Sequence, residues 1–324
     1  MKIGITGVTG HVGSNLYPIL ISLGHEIRCL IRDSIEKRRF PDEIIGDITN
    51  ESDVDAFVKG LDIVIHLAAK ISISGDPDGS VRAVNYNGTK NIAQACLKYG
   101  VKRLIHFGTI HAYDPFPIDE PLDETRNLVV NGTDYDRSKV EGELAVMQCV
   151  AKGLDAIVIT PTSIFGPNDF SPSLLGQAII NIHNRKIPAL VPGGYDFVDV
   201  RDVAMGTVKA MESGKSGEKY LLSGTWLSVK ELAMKIGSIG GVPVTQRVVP
   251  TAIMNAFLPI FRLQSVITHK PPLITKESLR ALIESNKLIS SEKAVQEFGY
   301  EKTLIDDSIK DTLDWFTSQS KLKV

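Results

Sequence analysis

Tyr135 and Lys139 stand four residues apart in Tyr135-Asp136-Arg137-Ser138-Lys139, a spacing that puts both on one face of a helix. A phenol ionises at about pH 10, too high for efficient acid–base work at neutral pH, and a nearby ammonium lowers that value by favouring the phenolate. Such a pair can pass a proton to or from a substrate oxygen. A hydroxyl that fixes this oxygen is also needed. Thr109 is the candidate, because it lies just past the strand-like run Lys102-Arg103-Leu104-Ile105-His106-Phe107, and parallel sheets place chemistry at their strand ends. On a solvated helix the same Tyr and Lys would be an ordinary surface pair, so the elements around them decide.

The strongest of those elements is at the N-terminus. The apolar run Lys2-Ile3-Gly4-Ile5-Thr6 leads into Gly7-Val8-Thr9-Gly10-His11-Val12-Gly13, and a helix-like stretch follows. In a strand–turn–helix unit the first glycine allows the sharp turn. The second admits a pyrophosphate to the backbone, and the third lets helix and strand pack closely. The helix N-terminus then faces the phosphates with free N–H groups and the positive end of its dipole. The spacing is G-x-x-G-x-x-G. Gly7, Thr9, Gly10, His11, Val12 and Gly13 are therefore the expected cofactor-binding turn, although glycines also cluster in turns without any ligand.

With these motifs in place, the chain resembles the short-chain dehydrogenases/reductases of the extended branch. The ordered matches are Thr6 to Gly13, Gly46-Asp47-Ile48, Val64-Ile65-His66-Leu67-Ala68-Ala69, Val84 to Asn91, Tyr135-x-x-x-Lys139, Thr160 to Pro167 and Asp196 to Ala204. Within the branch it is most similar to the dihydroflavonol reductase, aldehyde reductase and hydroxysteroid dehydrogenase group, to which Lys270 to Glu277 adds modestly. The resemblance implies that Asp47 and Ile48 meet the adenine of a dinucleotide. It places Leu67, Ala68 and Ala69 along the ribose and pyrophosphate, and Pro161 and Ile164 beside the nicotinamide. Plain packing is the other reading of Ala68 and Ala69. The resemblance also implies a homodimer through two long helices, about 78–98 and 134–152.

The pattern along the chain agrees. Strands are predicted at 1–6, 26–31, 44–45, 62–66, 102–107 and 154–160, with helices at 11–23, 51–59, 78–98 and 134–152. Alternation of this kind argues for a doubly wound parallel sheet, an α/β fold, with a smaller mixed C-terminal substrate domain. We expect a dinucleotide-binding domain of residues 1–162 plus 199–224, and an interleaved substrate domain of 163–198 plus 225–324. The 324 residues are 43% hydrophobic, enough for both cores, and the net charge of −2 gives no reason to expect a nucleic-acid partner. Strand-forming sequence from residue 2 leaves no room for a signal peptide, which points to a cytoplasmic protein. Cys29, Cys96 and Cys149 read as buried free thiols, and no spacing suggests a metal site.

Cofactor choice follows from the second strand. The position where NAD-preferring domains carry an acid is Ile31 here, and Arg32 follows, with Lys37, Arg38 and Arg39 close behind. A guanidinium grips a 2′-phosphate, so NADP(H) is the expected cofactor, with NAD(H) possible. The other reading makes Arg32 a solvated charge and gives the ribose to Asp33.

The substrate is a small molecule. His111 and Tyr113 follow Thr109 closely, and Phe165, Phe170 and Phe197 are apolar candidates. All five could instead be ordinary packing or hydrogen-bonding residues. The apolar stretch 252–263, broken by Pro259 and Arg262, is too short to span a bilayer and could be a lid, core or a membrane-surface patch. Three functions stay open: a carbonyl/alcohol oxidoreductase, a nucleotide-sugar epimerase or dehydratase, and a non-catalytic nucleotide sensor.

Overall fold

The computed structural model describes residues 1–32, 40–73, 75–256 and 275–322. Seven strands form one sheet in the order β3-β2-β1-β4-β5-β6-β9, every pair parallel. In chain order, β1 (Lys2–Thr6), α1 (His11–Ser22), β2 (Glu26–Ile31), β3 (Glu43–Ile45), α2 (Glu51–Val58) and β4 (Ile63–His66) build its first half. After α3 (Ser80–Arg82), a π-helical turn and α4 (Thr89–Tyr99) come β5 (Arg103–Phe107), α5 (Asp134–Val150) and β6 (Ala156–Pro161). Since β1 lies between β2 and β4, the chain reverses direction across the sheet there, and a crevice opens at the C-terminal strand ends.

Strand residues alternate between two cores. Ile63, Ile65, Ile105, Phe107, Ile157 and Ile159 point into one, with Leu16 and Leu20 of α1. Val64, Leu104 and Ala156 point into the other, with Phe57 of α2, Ile92 and Cys96 of α4, and Val146 and Cys149 of α5. Both faces are covered, and so these strands read as almost unbroken apolar runs. The same period of two sends His66 and His106 toward α4 and α5. The three cysteines are buried and free.

The second layer begins with β7 (Ser163–Phe165), α6 (Leu174–His183), β8 (Gly194–Asp199) and α7 (Val200–Ser213). Next, β9 (Lys219–Leu222) completes the large sheet, and β10 (Thr225–Ser228) and α8 (Val229–Gly240) follow. The strands β10-β8-β7 form a small mixed sheet. A third core under it joins Phe165, Phe197 and Ile236 to Leu313 and Phe316. The chain closes with α9 (Lys276–Ile283), α10 (Glu292–Phe298) and α11 (Ile305–Ser318). Ala294 and Tyr300, expected on the substrate side, instead bury in the first core against the large sheet.

One predicted element differs in form. The helix expected over 78–98 is not continuous α-helix: Ala83–Gly88 is a π-helical turn. The extra residue in that turn brings Asn85 inward, and α5 presses on it so closely that a Cβ on Gly142 would lie 2.4 Å from the Asn85 carbonyl oxygen.

Gly13 is fixed by the same kind of contact, since a Cβ there would meet the Val8 carbonyl oxygen at 2.5 Å. Gly13→Ala must push α1 away from its strand. We expect a loss of about 1–3 kcal/mol, read as a lowered urea midpoint with an unchanged slope. An unchanged midpoint would show that the turn has room to spare.

Candidate active site

The glycine turn lies at the crevice. Gly7 has φ of 74°, and a Cβ on it would sit 2.7 Å from the Ala68 nitrogen, so the loop after β4 rests directly on the turn. Gly10 is the N-cap of α1, and no side chain caps that helix. A Cβ on Gly10 would meet one atom within 4 Å, the Gly7 carbonyl oxygen at 3.2 Å, so this glycine's outer face is open. An uncapped helix N-terminus behind an open glycine is a cradle that fits a pyrophosphate. Thr9 is exposed beside it, whereas Val8 is core and Val12 packs on the first core. The His11 ring is committed elsewhere: Nε2 bonds the Pro167 carbonyl oxygen at 3.0 Å, and Asn15 Nδ2 donates to the same oxygen at 3.1 Å.

Other expected cofactor positions divide between packing and open surface. Ile31 is buried at the end of β2, and Arg32 is exposed beyond it. Asp33, Lys37, Arg38 and Arg39 lie outside the described residues. The Asp47 carboxylate is engaged within its own turn, accepting from the Thr49 backbone N–H at 2.8 Å and its hydroxyl at 2.7 Å. The Ile48 side chain is core, packed on Gly88. Leu67 and Ala68 pack on opposite cores, and the Ala68 N–H donates to Thr6 Oγ1 at 3.3 Å, while Ala69 is exposed. Pro161 is buried at the end of β6, and Ile164 packs on the first core from β7.

The proton-handling residues converge above β5. A capping box between Thr133 and Asp136 starts α5 and fixes the position of Tyr135. The Tyr135 hydroxyl interacts with Thr109, which itself caps the 3₁₀ turn Ile110–Ala112. Burial pushes the Tyr135 phenol up to about 12, Thr109 opposes that rise, and the Asp136 charge adds to it. Lys139 lies one helical turn further on, buried beneath the same strand end. Its Nζ donates to the Phe107 carbonyl oxygen at 2.5 Å, and burial pulls the ammonium down to about 8. His66 and His106 stack below, with centroids 5.5 Å apart. Burial drives both rings toward neutral, and the Lys139 charge acts in the same direction.

His111 stands at this site, edge-on to Tyr195 with centroids 6.3 Å apart. Burial lowers the His111 value and raises that of Tyr195, and the Asp136 carboxylate acts on both. Tyr195 was not singled out from the sequence; Phe197 was. The two share one face of β8, and their rings touch, but Phe197 is the inner member, packed edge-on against Phe165 in the third core. Phe197 and Phe165 are therefore packing residues. Tyr113 is 2% exposed within a cluster with Ala112, Leu122 and Leu221, which leaves no face for a substrate. Phe170 turns outward and packs edge-on against Trp315 of α11. Of stretch 252–263, Met254 is core with Val191 and Leu279, Ile253 is exposed, and 257–263 lies outside the described residues.

Asn85 is a second residue that sequence reasoning left without a role. Its Oδ1 accepts from the Lys70 N–H at 2.8 Å, and its Nδ2 donates to the Lys70 carbonyl oxygen and to Ser138 Oγ, each at 3.0 Å. One buried amide thus ties the loop after β4 to the residue before Lys139. A polar residue inside an otherwise amphipathic helix was the available signal.

Residues 3–223 match the model of the NAD dependent epimerase/dehydratase family. The chain belongs to that family. It is an NAD(P)-dependent oxidoreductase of the extended short-chain type. It is 28% identical to the sterol demethylase protein B of Methylococcus capsulatus over 98% of this chain and 99% of that protein. It is 26% identical to the 3beta-hydroxysteroid-dehydrogenase/decarboxylase isoform 1 of Arabidopsis thaliana, over 94% of this chain and 73% of that one. Among solved structures, gox2253 superposes with a TM-score of 0.84 at 29% identity, covering 99% of each chain. No metal cluster occurs, and no helix is long and apolar enough to cross a membrane, among the described residues.

Asn85→Ala would strand the Lys70 N–H and carbonyl and remove the donor to Ser138 Oγ, which keeps its own bond to the Tyr135 carbonyl. We expect a loss of about 1–3 kcal/mol in chemical denaturation together with weaker nucleotide binding by fluorescence titration. Lost stability with unchanged nucleotide affinity would separate Asn85 from the site.

Proposed function

We propose that this enzyme is an NADP(H)-dependent reductase or dehydrogenase that interconverts a carbonyl and an alcohol on a hydrophobic substrate. The observation that carries the reading is the meeting of Tyr135 and Thr109 at the end of β5, one helical turn from a buried Lys139. In the reduction, Thr109 donates a hydrogen bond to the carbonyl oxygen and orients it. Tyr135 donates its proton to that oxygen as charge develops there. Burial pushes the phenol up to about 12, protonated at neutral pH but a weak acid, and a Lys139 ammonium one turn away favours the phenolate that forms when the proton leaves. The nicotinamide, when bound, supplies the hydride. Lys139, fixed on the Phe107 carbonyl, contributes a positive charge at the rear of the site and holds the nicotinamide ribose. Gly10 and the α1 N-terminus hold the pyrophosphate. His111 and Tyr195 border the substrate on the small-sheet side.

Two features support a hydrophobic substrate. Relatives are named for sterols and hydroxysteroids, and the His111 and Tyr195 rings beside the site form an aromatic pair. Buried Ile31 followed by exposed Arg32 supports the NADP(H) preference, because the position where NAD-preferring domains carry an acid is apolar here and a guanidinium follows it. The epimerase or dehydratase alternative shares the fold and the Tyr-Lys pair, and would reveal itself as nucleotide retained through purification.

Tyr135→Phe should lower kcat by about 100-fold or more in a carbonyl-reduction assay and leave nucleotide affinity nearly unchanged. Full turnover in that variant would remove Tyr135 from the role of acid. Arg32→Ala should raise KM for NADPH at least tenfold while leaving NADH kinetics unchanged, as expected for a lost charge-assisted pair worth about 1.5–3 kcal/mol. Equal effects on both nucleotides would assign Arg32 to solvent.

A further inference from the structure

Lys139 is only 4% exposed, so its neighbours decide whether its nitrogen is an ammonium or an amine. From the sheet, His66 on β4 and His106 on β5 face it, and neither can supply negative charge. On its own helix, Tyr135 lies one turn before it and Glu143 one turn after. Glu143 is a fully buried carboxylate, at 1% exposure. It is ion-paired with Lys219 at the start of β9. It lies beneath the turn that carries Phe107 and Thr109: a Cβ on Gly108 would come within 3.5 Å of its Oε2. A buried ion pair is costly to desolvate, and well-packed apolar residues would serve a purely structural purpose at least as well.

We propose that Glu143 is a positioning residue, which holds Lys139 as an ammonium on the Phe107 carbonyl while its ion pair with Lys219 anchors Glu143 to the edge strand. This inference rests on the assignment of Tyr135 and Lys139 made above. The charges agree with it. Glu143 is the acid that raises the Lys139 value against the lowering by burial, and Lys219 has its side chain 21% exposed, in reach of solvent. The direction of the effect is fixed. Lys139 is charged below its pKa, so activity that needs the ammonium falls as pH rises through that value. Removing the Glu143 charge lowers the value and moves the fall to lower pH.

The test is Glu143→Gln in the full-length protein, with two readouts. The first is kcat/KM against pH with NADPH and a reducible carbonyl. The second is the titration of the Lys139 ε-carbon by NMR in protein labelled with ¹³C-lysine, its signal assigned with Lys139→Arg. We expect both midpoints to fall by about one pH unit from about 8, which gives about a fivefold loss at pH 8 and little change at pH 6.5. Glu143→Asp, which keeps the charge one methylene further back, should shift both midpoints less. If Glu143→Gln does not fold, Glu143→Met, which keeps the length and removes the charge, is the test variant, an unmoved midpoint then being the overturning result. A uniform loss of activity with both midpoints unmoved overturns the proposal and leaves Glu143 a structural residue. Tyr135→Phe, assayed alongside, keeps the two readings apart. If it retains turnover, the acid assignment fails, and the NMR midpoint still judges Glu143.

Discussion

The buried ammonium of Lys139, held 2.5 Å from the Phe107 carbonyl oxygen, is the constraint around which the rest of this site is arranged. A charge this deep needs partners on every side. The sheet supplies a backbone carbonyl and two histidines that burial keeps neutral, while α5 supplies Glu143. Thr6 and Thr89 hold the His66 ring through Nδ1 at 2.6 Å and Nε2 at 3.0 Å, so β1 and α4 are drawn into the same network. Phe107, the acceptor, is two residues from Thr109. The contact that anchors Lys139 therefore also sets the register between Thr109 and Tyr135.

Close backbone approach makes that network possible. Gly142 lets α5 rest on the Asn85 carbonyl, and Gly108 makes room for Thr160 Oγ1, which would lie 2.7 Å from a Cβ there. Gly7 accepts the loop after β4. These glycines serve packing first. The open face of Gly10 differs, because among the described residues nothing fills it beyond one carbonyl contact.

The small sheet is bound to this frame by polar contacts. His11 and Asn15 of α1 bond the Pro167 carbonyl oxygen. Asp196 accepts from Thr162 Oγ1 and from the Gly224 N–H, both at 2.6 Å, which ties β8 to the ends of β6 and β9. The loop after His111 is secured from the far end of the chain, where Leu122 exchanges backbone hydrogen bonds of 2.9 Å with Leu288 and Ser290. Tyr195 thereby reaches His111 from a strand that belongs to the smaller sheet.

Local rules made much of this legible. Two-sided burial leaves apolar runs, and the parallel strands could be read from them. The need for close approach leaves glycines at fixed spacing, and Tyr135 and Lys139 share a helix face whatever the surroundings. The remainder required the folded chain. The π-helical turn that brings Asn85 inward is a response to α5 packing on it. Alternation puts Tyr195 and Phe197 on one face of β8, but which of the two reaches the rim depends on where the third core ends. Tyr113 sits two residues past His111 and turns into a separate cluster. The sequence by itself determined which residues could do chemistry and the period of the elements that carry them. Only the tertiary structure decided what each polar group faces, and with it that Lys139 donates to the Phe107 carbonyl, because the neighbours of a buried charge come from distant parts of the chain.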